Sequence, residues 1–307
     1  MVGRRMLCWS ALSIGLLVAR TAAADPITFT GNVPADFGYS NPTITSSSGE
    51  YVPVKPTNPD TSVVQLSEDL NPTHIAQPTW MTANGLVSGW NFHNIAVSYN
   101  PQNDTLYVGI NTWGIAGNVD GNGTPGKPNP QLTAAGGTDP ANFGGDKSMA
   151  IGITPLHDTQ PTIVAGIPGN KAQAGTGLDG FTVASRVASG TSPGNTNYDL
   201  VNSFGHAIAA AAGSNLAFDP SAQHPGFEFT ITNFSKVLGY NPLDGFSISA
   251  QDGSVNSIVT GKDYIPPTMV TLAPQGINTP EPATWLAWLI LASGAGWKYR
   301  RSLAVRP

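Results

Sequence analysis

Two alternating runs joined by a turn constrain this chain more than any other feature. In residues 92–99 one face takes His93, Ile95, Val97 and Tyr99, and the other takes mostly small or polar groups. In residues 105–112, Leu106, Val108 and Ile110 alternate in the same way. A period of two is the signature of a strand, whose successive side chains point to opposite faces. Between the runs lies Asn100-Pro101-Gln102-Asn103-Asp104, a string of turn formers. Two strands joined this closely are expected to pair antiparallel.

The same grammar recurs along the chain. Short β-branched or aromatic runs at 149–154, 162–167, 180–184, 226–234, 245–250 and 268–272 are separated by Gly, Pro and Asn clusters. Phe227, Phe229 and Ile231 alternate with Glu228 and Thr230, which predicts an inward aromatic face and an outward polar one. One stretch, 200–212, reads as a helix stopped by Gly213. Residues 114–145 are rich in Gly, Asn, Pro and Asp and read as a long loop. There is no βαβ rhythm and no fixed repeat. The expected fold is therefore all-β, an antiparallel β-sandwich with long Gly/Asn/Pro-rich loops.

The two ends follow different rules. Residues 1–24 carry Arg4 and Arg5, an apolar run over 6–19, and Ala22-Ala23-Ala24 before Asp25. This is the three-part layout of a secretory signal peptide, with cleavage expected after Ala24. The apolar run is shorter than the roughly 20 residues a stable membrane span needs. Cys8, the single cysteine, lies inside that run. Its loss with the signal would exclude disulfides, zinc-thiolate sites and cysteine nucleophiles from the mature body.

At the other end, Pro280-Glu281-Pro282 is followed by an apolar stretch over 283–297 and then by Lys298, Arg300 and Arg301. This order resembles the PEP-CTERM sorting signal of exosortase-processed bacterial proteins, and the resemblance covers residues 280–307 only. It implies an exosortase that cuts at or near the motif after transient insertion of one short C-terminal membrane helix. The residues suit that role. Two prolines keep Glu281 extended, as a protease-bound strand requires, and the basic cluster stays cytoplasmic by the positive-inside rule. Six residues, 302–307, trail the Arg pair, where many members of the family end on the basic run. A plain membrane anchor with a chance Pro-Glu-Pro is the alternative. The expected organisation is thus a signal peptide at 1–24, an extracellular body at 25–279 and a sorting tail at 280–307.

Charge sharpens the picture of the body. Residues 25–279 hold 18 acidic and 7 basic side chains, a net of −11, whereas the whole chain stands at −5 because basic residues concentrate in the ends. Nucleic-acid binding draws most of its affinity from phosphate neutralisation, so an acidic, lysine-poor body excludes it. Charged residues make up 11% of the chain, against about 25% in soluble domains generally. The surface is accordingly polar through hydroxyls and amides, which suits cations or a hydrated matrix.

Two candidate sites emerge within the body. Asn118, Asp120 and Asn122 recur at alternate positions before Gly123 and resemble the Asp-x-Asp-x-Asp-Gly calcium loop of bacterial surface proteins. Two of the three side chains are neutral amides, and the twelfth position is Asn129 in place of a bidentate Glu. Asp139 or Asp146 are further sources of charge, and a simple Asn/Gly turn is the alternative. Trp90 and Trp113 bracket the hairpin as candidates for stacking on sugar rings, with burial in the core the competing expectation. His74, His93, His157, His206 and His224 are scattered, and neither a His-Glu-x-x-His nor a Gly-x-Ser-x-Gly motif is present.

The resulting expectation is an exported, non-enzymatic structural protein of the cell envelope, outer surface or extracellular matrix. Its partners would be signal peptidase and exosortase during export, then exopolysaccharide, with calcium as a candidate ion. The alternatives are a carbohydrate-binding surface adhesin and an extracellular polysaccharide hydrolase.

Overall fold

The computed structural model describes residues 27–38, 50–54, 63–67, 79–118, 130–134, 147–168, 180–187, 200–217, 226–254 and 263–272. All of them fall within the unit Ala24–Gln275. The strands are β1 (Glu50–Val54), β2 (Val63–Ser67), β3 (Phe92–Asn100), β4 (Thr105–Thr112), β5 (Lys147–Pro155) and β6 (Ile163–Ile167). They continue with β7 (Thr182–Arg186), β8 (Phe204–Ala207), β9 (Asn215–Ala217), β10 (Phe227–Thr232), β11 (Phe246–Ser254) and β12 (Asp263–Val270). Short helices are α1 (Val33–Asp36), α2 (Thr79–Ala83), α3 (Pro130–Ala134) and α4 (Phe234–Leu238).

The fold is all-β. One six-stranded sheet has the order β1-β2-β3-β4-β10-β9 and the other β12-β11-β5-β6-β7-β8. Every strand pairing is antiparallel. The chain builds β1 to β4 in the first sheet and β5 to β8 in the second, then returns to each in turn. As a result β10 pairs with β4 and β11 pairs with β5, and β10 and β11 each lie one strand in from the edge of their sheet.

The expected hairpin forms with Ile95 opposite Ile110, Val97 opposite Val108 and Tyr99 opposite Leu106. These rows meet Met149, Ile151, Ile153, Ile248 and Ala250 of the second sheet in one shared core. The aromatic row of β10 is inward as its alternation predicts, with Phe227, Phe229 and Ile231 fully buried. Each such side chain contributes about 1.5–3 kcal/mol by leaving water.

His93 does not join the inward row. The register slips between Phe92 and Asn94, so β3 carries one extra residue there. A bulge of this kind turns the chain by one position. Phe92 takes the core place and is fully buried, while His93 is only partly buried.

Both outer faces are covered rather than solvated. Residues 27–38 cross the first sheet, where Val33 and Phe37 pack on Ala96 and Tyr107 with Ile27 and Phe29 beside them. On the second sheet Leu200, Val201 and Phe204 pack on Ala150, Val164 and Ala184. Each covering segment is pinned by a buried side chain from a strand inside the sheet's edge. Glu228 Oε2 accepts the Gly31 N–H at 2.6 Å, and Gln251 Oε1 accepts the Leu200 N–H at 2.6 Å. Glu228 therefore points to the outer face, as alternation predicts, yet it is fully buried there.

Several expectations shift. Residues 200–212 form no α-helix; a 3-10 turn at Leu200–Asn202, strand β8 and a 3-10 turn at Ala209–Ala211 stand there instead. The strand expected at 226–234 stops at Thr232, because Asn233 turns left-handed (φ 49°) and α4 begins. The last strand begins earlier than expected, at Asp263, and carries Pro266 and Pro267 at a register shift. Edge strands and bulges are where proline is tolerated. Of the loop expected at 114–145, residues 130–134 form α3. Among the described residues no helix is long and apolar enough to cross a membrane. The signal segment 1–24 and the apolar stretch 283–297 lie outside the described residues.

Candidate functional site

Of the candidate residues, Trp90, Trp113 and Asn118 are described and lie at the end of the hairpin opposite its turn. There the segments 86–92 and 113–118 press together backbone to backbone. Gly89 donates its N–H to the Asn118 carbonyl at 2.8 Å, and Trp113 donates to the Asn91 carbonyl at 2.8 Å. A Cβ at Gly89 would collide with the Ile115 carbonyl, and one at Gly114 with the Val87 carbonyl. Glycine is required at both positions because no side chain fits between the two strands of chain. Gly117, at φ 79°, completes the turn into Asn118.

Asn118 is fully buried, and its N–H donates to the Ile115 carbonyl at 2.8 Å. Its main-chain groups thus anchor the start of the proposed calcium loop to the body. Asp120 and Asn122, the other two members of that motif, lie outside the described residues, as do Pro280, Glu281, Pro282, Lys298, Arg300 and Arg301.

The two tryptophans separate. Trp90 is 1% exposed and belongs to the shared core, so its ring has no face to offer a sugar. Trp113 is partly buried and lies over His93, with ring centroids 4.0 Å apart at 35°. His93 Nδ1 and Asn111 Nδ2 are 3.1 Å apart. If the Asn111 amide donates, the imidazole carries its hydrogen on Nε2. Burial holds the His93 imidazole below its ordinary pKa and keeps it neutral at pH 7.

Two carboxylates at this end escape sequence reasoning. Asp252 and Asp263 face each other across β11 and β12 and are both buried. Asp263 Oδ2 accepts the Phe92 N–H at 2.6 Å, and its Oδ1 accepts the N–H of Tyr264 at 2.9 Å. Asp252 Oδ1 accepts the Asp263 N–H at 3.3 Å. Asp263 thereby ties the second sheet to the first at the bulge beside His93. The signal available in the sequence was two aspartates flanking a Gly/Ser/Asn turn, which is common in hairpins without burial.

Chemically, this end holds amides, carboxylates that accept main-chain N–H groups, and one imidazole set against the Asn111 amide and the Trp113 ring. Among the described residues no three His, Cys, Asp or Glu side chains lie close enough to hold a metal. Elsewhere, a pocket of about 200 Å³ opens beside Phe181, Val183, Ile208, Ala211 and Ser214, and its lining has no titratable side chain. The site and fold define an all-β, two-sheet protein whose buried polar groups anchor its main chain. In comparisons with known families, curated proteins and solved structures, none matches this chain.

Proposed function

We propose that the protein is an exported, exosortase-sorted structural component of the cell envelope or exopolysaccharide matrix, with a non-enzymatic β-sandwich body. The observation that carries this reading is the order at the C-terminus: Pro280-Glu281-Pro282, then the apolar stretch 283–297, then Lys298, Arg300 and Arg301. The export layout of residues 1–24 supports it from the other end. So does the use of polar side chains in the body. Asp263, Glu228 and Gln251 each spend an oxygen on a backbone N–H from a distant segment. Such bonds hold a fold rather than a substrate.

The test is replacement of Pro280-Glu281-Pro282 by three alanines. Export should persist while uncleaved protein accumulates at the inner membrane, visible as a larger intact mass. Normal location with normal mass would make the tail a simple anchor.

A second reading, a carbohydrate-binding adhesin, draws on Trp113 alone, since Trp90 is in the core. Binding on a glycan array that is lost in Trp113→Ala but kept in Trp90→Phe would favour it.

A further inference from the structure

Glu228 sits fully buried on β10, one strand in from the edge of the first sheet, beneath residues 27–38. Its Oε2 receives the Gly31 N–H, while its Oε1 is buried without a hydrogen-bond partner. The charged group beside it is the carboxylate of Asp36, within hydrogen-bonding reach. Asp36 is itself held by the Thr30 N–H at 2.6 Å and the Thr30 hydroxyl at 2.8 Å. A buried carboxyl group beside a second carboxylate does not ionise readily. A single proton on Oε1, donated toward Asp36, satisfies the orphaned oxygen and removes the repulsion together.

We propose that residues 27–38 form a proton-gated strap: a proton shared between Glu228 and Asp36 clamps the strap to the sheet, and its loss frees the strap to lift. The strap is built to close reversibly. Its apolar grip is one cluster, Val33 and Phe37 on Ala96 and Tyr107 with Ile27 and Phe29 beside them, Phe29 lying edge-on to Tyr107 at 5.9 Å. Its polar attachments include the carboxyl pair and the Gly226 N–H, which donates to the Gly31 carbonyl at 2.6 Å. Lifting would uncover the outer face of β3, β4 and β10 and release an apolar arm bearing Ile27, Phe29, Val33 and Phe37.

Burial pushes the Glu228 carboxyl up to about 8 and Asp36 adds to that, while the Gly31 and Thr30 N–H groups pull the other way. In the lifted state Glu228 meets water and returns to about 4.5. The closed state is the one that keeps the proton. Closure is therefore fully favoured below about pH 4.5 and weakens as pH rises toward about 8. The opening equilibrium grows about tenfold per pH unit through that window. Tyr107 is a further titratable side chain packed on the strap and serves as a control.

Hydrogen exchange read by mass spectrometry on the purified protein, in EDTA and corrected for intrinsic rates, tests this between pH 5 and 9. Exchange over 27–38 should rise about tenfold per unit up to about pH 8, with β5 and β11 unchanged. Glu228→Gln keeps both an acceptor for Gly31 and a donor for Asp36, so its strap should stay closed at every pH. Asp36→Asn should move the upper end of the window to lower pH, and Tyr107→Phe should not move it. A wild-type strap with no pH response overturns the proposal, as does closure that follows added calcium rather than pH. A pH slope unchanged in Glu228→Gln also overturns it. Should that variant fail to fold, an unmoved window in Asp36→Asn overturns it alone.

Discussion

The carboxylate of Asp104 caps the helix at Ser235, 131 residues away: Oδ1 accepts the Ser235 N–H at 2.8 Å and Oδ2 the Ser235 hydroxyl at 2.7 Å. Asn233, in the usual capping place, is left-handed and makes no side-chain cap. The turn of the β3–β4 hairpin therefore supplies what α4 lacks. Asp104 is itself left-handed (φ 51°), a conformation Asp and Asn tolerate better than most residues. The buried Tyr99 hydroxyl donates to Oδ1 at 2.9 Å; burial and this carboxylate both raise its pKa, so it remains a donor. Asp104→Ala should lower stability by about 2 kcal/mol in urea titrations. Asp104→Asn, which fits the turn and keeps one acceptor, should lose about half as much. Tyr99→Phe should cost about 1 kcal/mol, and less in the Asp104→Ala background because the two share one network.

Burial gives His93 a definite pH signature. Its folded pKa lies below the ordinary 6.5, so on acidification the unfolded chain takes up a proton before the native one does. The stabilisation is complete above about pH 6.5 and is lost as pH falls through the folded value. His93→Gln should flatten this part of the stability profile between pH 7 and 5. The difference between the two profiles isolates His93 from the other histidines. Identical acid slopes in both proteins would remove His93 as its source.

Gly109 leaves the space that Val33 and Phe37 occupy. A Cβ there would stand 2.6 Å from Phe37 Cε2 and 2.7 Å from Val33 Cγ1. Gly109→Ala should therefore cost about 1–3 kcal/mol by overpacking. Both clashing side chains belong to residues 27–38, so limited proteolysis should cut there first while the two-sheet core resists. Adding Phe37→Leu should restore part of the resistance, since a smaller side chain vacates the space the new methyl needs.

Calcium is the remaining chemical expectation. With one carboxylate among Asn118, Asp120 and Asn122, affinity should resemble that of extracellular modules, about 10⁻⁴ to 10⁻³ M. Calcium at ten times Kd would then stabilise the body by about 1.4 kcal/mol. A rise of a few degrees in Tm with millimolar calcium, smaller with magnesium and abolished in Asp120→Ala, is the expected outcome. Identical melts with and without calcium would leave the motif a turn.

The strands most legible in the sequence are those whose pattern is local. The hairpin at 92–112 and the row Phe227, Phe229 and Ile231 carry alternation, turn chemistry and burial in one short window, and these agree. Residues 200–212 mislead for the opposite reason. Their alanines favour a helix, but Phe204 and Ala207 pair with Arg186 and Ala184, and Phe204 is buried on the second sheet. Tertiary packing overrides propensity there. The buried carboxylates were hidden by distance. Asp263 meets Phe92 across 171 residues and Glu228 meets Gly31 across 197, and no window of sequence spans such a contact. The bulge at His93 was similarly silent, because a slipped register leaves the alternation of residue types unchanged.

The four outermost strands carry a consequence for how copies of this protein crowd together. Pro53 in β1 and Pro266 and Pro267 in β12 have no N–H to offer a neighbour, while β8 and β9 are only four and three residues long. An open strand edge is a template on which another chain can polymerise, and prolines and short lengths are the means of blunting it. Packed densely at a surface, these molecules would resist fusing into fibrils through shared sheets. A layer built from them through these described edges would be joined by side chains rather than by a shared sheet.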